Sequence, residues 1–200
     1  MRWTIVSIIA VLVLGGDALA QTATVTRLRG TIAAMDGGAL TIATRDGGHV
    51  TVTLKDDAKI SALQASSLAA IGPGSFIGTA AVPGRDGGLT ALEVVVFPEN
   101  MRGTGEGHYD WDLQPGSSMT NANVDAVVTA KSGQELQLSY KGGTTKVTVA
   151  PDVPVVTFVP AERGDLRVGL AVYTPATAAS DGRLTTSRVV VERDGVKPPM

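Results

Sequence analysis

Apolar and polar residues alternate along most of the chain, in short runs that turn sequences separate. In ALTIATRDGGHVTVTL, residues 39–54, two such runs flank Asp46-Gly47-Gly48. A period of two predicts strands with one buried face, and Asp-Gly between two strands is typical of a β-hairpin. The run LQLSYKGGTTKVTV, residues 136–149, repeats this design around Gly142-Gly143. The pattern therefore predicts an all-β protein.

The chain also contains an internal repeat. DGGLTALEVVVFPE, residues 86–99, matches DGRLTTSRVVVERD, residues 181–194, at an offset of 95 residues. Upstream, an offset of 96 aligns Leu40 with Leu136 and Ile42 with Leu138. The first copy runs from about residue 25 to residue 99, and the second from about residue 121 to residue 194. Each copy is long enough for a small β-barrel core.

Each copy has three predicted strands, a short helix or turn, and two more strands, which is the order of an OB-like barrel. In the first copy, Leu63, Leu68 and Ile71 are spaced to line one face of a short helix that ends at Gly72-Pro73. Residues 160–169 of the second copy favour a single turn. We predict two tandem OB-like barrels, residues 21–99 and 121–195, with a Gly-rich inter-barrel linker over 100–120 and a tail over 196–200. One continuous β-sandwich made from both copies is the alternative.

Residues 1–20 have the layout of a secretory signal peptide. Arg2 supplies the positive charge, an apolar run follows it, and Ala18-Leu19-Ala20 is a cleavage signal that makes Gln21 the expected mature start. The alternative, a membrane anchor, needs about 20 apolar residues, roughly twice the length of this run. No later segment is long and apolar enough to span a bilayer, and no cysteine follows the signal. We expect a periplasmic or secreted bacterial protein.

Composition narrows the chemistry that this chain can perform. It contains no cysteine, which excludes disulfides, thiol catalysis and thiolate metal sites. The formal net charge is −2, so there is no basic excess for binding nucleic acid or anionic lipid. No G-x-S-x-G elbow occurs, and His49, one of the two histidines, lies beside a hairpin turn where we expect it to face solvent. We therefore expect a protein that is not an enzyme.

The motifs of the first copy resemble those of a known family. RGTI…DGG.LTI…DGG.VTV.L.DDAKI opens the copy, L..I.PG.FIG follows, and DG.L.A..V.VFPE ends it. Together they resemble a family of exported bacterial β-barrel repeats of unassigned function. The resemblance covers nearly all the mature chain and is looser in the second copy, where we align Ala126 with Gly30 of RGTI. The resemblance implies a β-barrel fold and an exported location, and it implies no catalytic residues.

The segment MRGTGEGHYDWDLQPGSSM, residues 101–119, belongs to neither copy and contains the candidate metal ligands. In an extended chain His108, Asp110 and Asp112 face one way, and Glu106 could be a fourth ligand. Imidazole and carboxylates suit zinc, copper(II) or manganese. However, residues four apart on a strand are separated by about 13 Å, whereas zinc needs every donor within about 2.0–2.2 Å. A straight strand therefore cannot bring three of these ligands to one ion.

The other side of this segment suggests a docking strap. Tyr109, Trp111 and Leu113 alternate with the acidic positions, so they are expected to cover apolar barrel surface. The alternate glycines before them also suggest a phosphate loop, but no predicted helix follows to supply the anion site. The preferred interpretation is a non-enzymatic exported module that binds an unknown periplasmic protein or small ligand, or serves as a structural spacer, without a cofactor. The alternative is a weak divalent-metal-binding protein that uses the linker.

Overall fold

The computed structural model describes residues 25–130, 133–179 and 181–198, and this part of the chain is all-β. The signal peptide predicted over residues 1–20 lies outside the described residues. Four single-turn 3-10 helices occur in these ranges, at Leu68–Ala70, Arg85–Gly87, Glu99–Met101 and Arg163–Asp165. The strands are β1 (Val25–Asp36), β2 (Ala39–Thr44), β3 (His49–Ala65), β4 (Phe76–Pro83), β5 (Leu89–Val96), β6 (Gly107–Asp110), β7 (Ser118–Ala130), β8 (Gly133–Tyr140), β9 (Gly143–Val149), β10 (Val155–Ala161), β11 (Ala171–Ala178) and β12 (Leu184–Val191).

Five of the strands close into a β-barrel, which we call the first barrel. Strands β1, β2 and β3 form an antiparallel meander, and β1 pairs on its other side with β11. Strand β12 pairs antiparallel with β11 and parallel with β3, and this second pairing closes the circuit. The alternating apolar residues of these strands point inward, so the barrel encloses a core that includes Ile32, Leu40, Ile42, Val52 and Val172.

A second closed circuit, the second barrel, has the same order of strands. Strands β7, β8 and β9 form the meander, β4 pairs with β7 and β5, and β5 pairs parallel with β9. Its separate core includes Ile77, Val94, Val124, Leu136 and Val147. Both hairpins predicted from the alternating runs are present, as β2–β3 and β8–β9.

The pairing corrects the prediction that each copy forms its own barrel. The first barrel combines the three opening strands of the first copy with the two closing strands of the second, and the second barrel combines the remaining strands. Alternation identifies a strand and its buried face, but it does not specify which copy supplies the partner. Strand β10 joins the two barrels into a single sheet, because it pairs antiparallel with β3 and parallel with β5.

The exchange is reciprocal at the level of single residues. At the centre of the β3–β10 ladder, Leu63 pairs with Phe158, its counterpart at an offset of 95 residues. On either side of this ladder, Val94 pairs with Val155, and the equivalent pair in the other barrel is Val189 with Ile60. Each copy therefore donates the same two strands to the other at the same register.

The region after the third strand differs from the predicted short helix. Leu63 is fully buried in β3, which continues to Ala65 because its second half pairs with β10. Only Leu68–Ala70 forms a 3-10 turn. The equivalent turn predicted in the second copy is present at Arg163–Asp165.

The register also corrects the alignment of Gly30. Ile32 pairs with Ile42 and Val124 pairs with Leu138, so the counterpart of Gly30 is Ala122 rather than Ala126. A Cβ atom on Gly30 would overlap the carbonyl group of Ala43. This close approach of β2 explains why glycine is needed at that position of β1.

Strand exchange predicts the behaviour of the separated copies. If the chain is divided within the loop between Met101 and Gly107, neither half contains the five strands of a closed barrel. We expect fragments 21–103 and 104–200 to lack a cooperative monomeric melt when alone and to form a stable one-to-one complex when co-expressed. Circular dichroism melts and light scattering on a sizing column measure both properties. Two fragments that each melt cooperatively as monomers would contradict the exchange.

Candidate functional site

Residues 101–113, which we call the strap, cross from one barrel to the other. Its first part is anchored by Arg102, whose guanidinium donates hydrogen bonds to Asn123 Oδ1 and Gly74 O, both at 2.9 Å, and pairs with Glu99 at 2.7 Å. Its middle is strand β6, which pairs antiparallel with the start of β7. A stretch predicted as a linker is therefore attached to the sheet along much of its length.

The side chains of the strap alternate in exposure. Tyr109, Trp111 and Leu113 are half-buried, whereas His108, Asp110 and Asp112 are exposed. Asn121 of β7 holds the buried side, because its Nδ2 donates to Thr104 O at 3.1 Å and to the Tyr109 hydroxyl at 3.3 Å.

The four candidate metal ligands have separate surroundings. His108 Nδ1 lies 2.8 Å from Thr120 Oγ1, and its ring stacks on Tyr140. Glu106 Oε1 accepts a hydrogen bond from the backbone N–H of Lys141 at 3.1 Å. Asp112 pairs with an arginine of β1, and Asp110 lies exposed on β6. Within the described ranges, no three His, Asp or Glu side chains are grouped so that they could hold a metal ion.

Trp111 is held between two arginines and two tyrosines. The guanidinium carbons of Arg27 and Arg29 lie 4.4 Å and 5.0 Å from its ring centroid, which are cation–π distances. The rings of Tyr109 and Tyr173 have their centroids 6.2 Å away. Trp111 thus contacts the outer face of the first barrel, while Tyr109 lies over the start of β7 in the second.

An ion pair fixes the end of the strap. Arg29 Nη2 lies 2.8 Å from Asp112 Oδ1, and Arg29 is only 7% exposed whereas Asp112 is 49% exposed. Partial burial alone would raise the pKa of Asp112, but the hydrogen bond and charge of Arg29 outweigh it and hold the pKa below its usual value. The Nε and Nη2 atoms of Arg29 are buried and form no hydrogen bond of good geometry within the described residues, so the charge of Asp112 is the principal compensation for this buried cation.

A cavity of about 160 Å³ lies under the strap, where the two barrels meet. Both barrels, β10 and the strap contribute to its walls, which are mainly aromatic and aliphatic. Its lining residues are Ser61, Gly78, Val95, Phe97, Met101, Thr104, Gly105, Tyr109, Trp111, Met119, Asn121, Phe158, Tyr173, Arg188 and Val190.

The aromatic residues of this chain are concentrated around the cavity. The described residues include seven Phe, Tyr and Trp side chains, and five of them line it. Phe97 contacts both Phe158 and Phe76, with ring centroids 5.3 Å apart in each pair. In a chain with only 4% aromatic residues, this convergence distinguishes the cavity from the two barrel cores.

Gly78 provides space in the cavity wall. A Cβ atom there would lie 2.6 Å from Asn121 Oδ1 and 3.0 Å from the Phe97 ring. The position equivalent to Gly78 in the second copy is Tyr173, which lines the same cavity from the other barrel. The two copies therefore contribute different shapes at equivalent positions, a glycine on one side and a large ring on the other.

A half-buried carboxyl group lies on the same face of the second barrel. Glu93, Ala80, Met119 and Tyr109 are neighbours across four strands, in the row next to that of Val95, Gly78 and Asn121. Glu93 Oε1 is buried without a hydrogen-bond partner in the described part of the chain. Burial raises the pKa of Glu93 to about 7.

Sequence reasoning did not predict the cavity. Phe97, Phe158, Tyr173, Arg29 and Arg188 come from four different strands and one loop, and only the strand exchange brings them together. The scarcity of aromatic residues is the available signal, since five of the seven outside the first 20 residues line this cavity.

Comparisons with known proteins add no family. No protein-family model matches this chain, and neither a curated protein nor a solved structure matches it. In the part of the chain that the structure describes, no helix has the length and apolar character needed to cross a membrane.

The Asp112–Arg29 pair makes a prediction about stability. Asp112→Asn should lower the free energy of unfolding at pH 7 by about 1–2 kcal/mol, because the buried Arg29 loses its counter-charge while the exposed side of the pair limits the cost. Asp110→Asn, two residues away and exposed, should change it by less than about 0.5 kcal/mol. Urea melts of both variants and the wild type compare these values. Equal losses in the two variants would show that the pair does not stabilise the strap.

Glu93 makes a prediction about pH. Because its pKa rises from 4.5 to about 7 on folding, the native protein binds more protons than the unfolded chain between these values. The free energy of unfolding should therefore fall as the pH rises through this range, by up to about 3 kcal/mol. Glu93→Gln should remove this fall, whereas Glu135→Gln, which alters a surface pair with Lys146, should retain it. Urea melts from pH 4 to 8 provide the test, and an unchanged pH profile in Glu93→Gln would contradict it.

Proposed function

We propose that this protein is an exported, non-enzymatic binding module that takes a small molecule with an apolar ring into the cavity under the strap. The observation that carries the proposal is the convergence of five of the seven described aromatic side chains on one cavity. Ligand sites are typically concave and mostly apolar, with a few placed polar groups. Here Ser61, Asn121 and Arg188 are the polar groups among apolar walls.

The size of the cavity supports a ligand of one ring. An apolar cavity of about 150 Å³ in another protein binds benzene, and the present volume is about 160 Å³. The strap covers the cavity on one side, and the exposed Arg188 lines it on another, so the cavity is accessible from solvent at Arg188. Among the described residues that line the cavity, none forms the pair of nucleophile and base that covalent catalysis needs.

We also assign each barrel to the OB-like class. Numbering the strands of either barrel one to five by copy position, the order around the circuit is 1-2-3-5-4, with strand five parallel to strand three. This arrangement supports the resemblance to exported β-barrel repeats, and the N-terminal signal sequence supports a periplasmic or secreted location.

Ring binding is tested on the protein that begins at Gln21, in which Trp111 is the sole tryptophan. Toluene and p-cresol should raise the melting temperature in a concentration-dependent way and change the fluorescence of Trp111, because they bind the folded state. Gly78→Ala should weaken the binding of both compounds at least tenfold, as measured by either effect, since the added methyl group projects toward Asn121 and Phe97.

Gly72→Ala is the matched control for this experiment. The Cβ position at Gly72 is open, so the same chemical change there should leave binding unaltered. The melting temperature of each variant without ligand shows whether it is folded. If neither compound shifts the melting temperature or the fluorescence of the wild type, the proposed function is wrong.

A further inference from the structure

One cation is placed at the aromatic cavity without a partner. Among the described residues that line the cavity, Arg188 of β12 is the one with a formal charge. Its side chain is exposed and forms no ion pair with any described residue. Arg27 and Arg29, on the neighbouring strand, differ because Asp112 lies 4.0 Å and 2.8 Å from them.

Two charged groups of opposite sign lie near Arg188 outside the cavity. Lys59 is its register partner on β3, and Asp57 lies in the adjoining surface hollow with both of them. On the cavity side, burial raises the pKa of Tyr109 and of Tyr173, although the charges of Arg27 and Arg188 oppose that rise. Both phenols are therefore protonated at neutral pH. The Tyr109 oxygen already accepts a hydrogen bond from Asn121, which leaves its own proton free to be donated.

We infer that the ligand of this cavity is an anion, a molecule with one aromatic ring and a carboxylate or similar group, whose charge pairs with Arg188. This inference rests on the proposed function and names the ligand class for the same site. The ring of the ligand contacts Phe97, Phe158 and Trp111. Its acidic group reaches the exposed side of the cavity, where the guanidinium of Arg188 supplies a planar pair of donors that matches a carboxylate.

The equivalent position in the first copy explains why the charge is on one side only. At an offset of 95 residues, Arg188 corresponds to Glu93, which is half-buried and does not line the cavity. Below its pKa of about 7 Glu93 is mostly neutral, so it does not repel an anion. Binding of the anion should therefore be tighter at pH 6, where its own carboxylate is still ionised, than at pH 8, where Glu93 is charged.

The test compares two ligands of the same shape at pH 6, phenylacetate and 2-phenylacetamide, by calorimetry. The wild type should bind phenylacetate at least tenfold more tightly than the amide. Arg188→Gln should reduce this preference to less than threefold, and Arg188→Lys should retain part of it, because the charge remains while the fork is lost. Lys59→Gln is the control, since it removes a neighbouring cation that does not line the cavity, and it should keep the full preference.

The outcomes separate this inference from the proposed function. If the amide binds the wild type as tightly as phenylacetate, or if Arg188→Gln keeps the tenfold preference while its melting temperature shows a folded protein, the anion inference is overturned and ring binding stands. If Lys59→Gln loses the preference as completely as Arg188→Gln, general surface charge rather than Arg188 selects the anion, and the inference is also overturned. If phenylacetate, the amide and toluene all fail to bind, the proposed function itself fails.

Discussion

Each barrel closes only when its last strand pairs with the third strand of its meander. In both barrels these two strands come from different copies. Strand β12 closes the first barrel on β3, and β5 closes the second on β9. Since β10 lies between β3 and β5, the two closures share one continuous sheet. Each core is sealed only when two strands from the other copy have joined it, which makes the pairing of distant segments the condition for both barrels. Such non-local pairing is entropically costly to begin and folds slowly.

The cavity is a product of this closure. Strands β3, β5, β10 and β12 carry residues inward to the barrel cores and outward to the seam between the barrels, and the cavity occupies that seam. The strap then crosses it from β5 toward β7, the only long connection between the two copies. Its attachment by β6, by Arg102 and by the Asp112–Arg29 pair converts an exposed apolar seam into a covered one. The covering limits the solvent exposure of large aromatic rings that lie outside both barrel cores, which are half-buried.

The sequence allowed the local structure to be predicted well, and the assembly poorly. Alternation and turn residues predicted the β2–β3 and β8–β9 hairpins, both of which are present. These signals are local, whereas strand exchange depends on which of two similar partners is reached, and the copies are too alike for alternation to distinguish them. The same limit hid the site, because Phe97 and Phe158 lie 61 positions apart and meet only across the exchanged sheet. The candidate metal ligands show the opposite case. His108 and Asp112 are close in sequence, but in the structure they contact different partners, Thr120 and an arginine of β1.

The differences between the copies, more than their likeness, define the candidate site. The register makes Gly78 equivalent to Tyr173, Glu93 to Arg188, and Asn121 to Arg29. With identical residues on both sides, two tyrosines would compete for the space that Gly78 leaves, and two like charges would face each other across the seam. The actual residues give one side a recess with hydrogen-bonding groups and the other side a wall of rings with cations. Strand exchange brings these two unlike faces together, and the strap, which the repeat does not duplicate, closes them over a single asymmetric cavity.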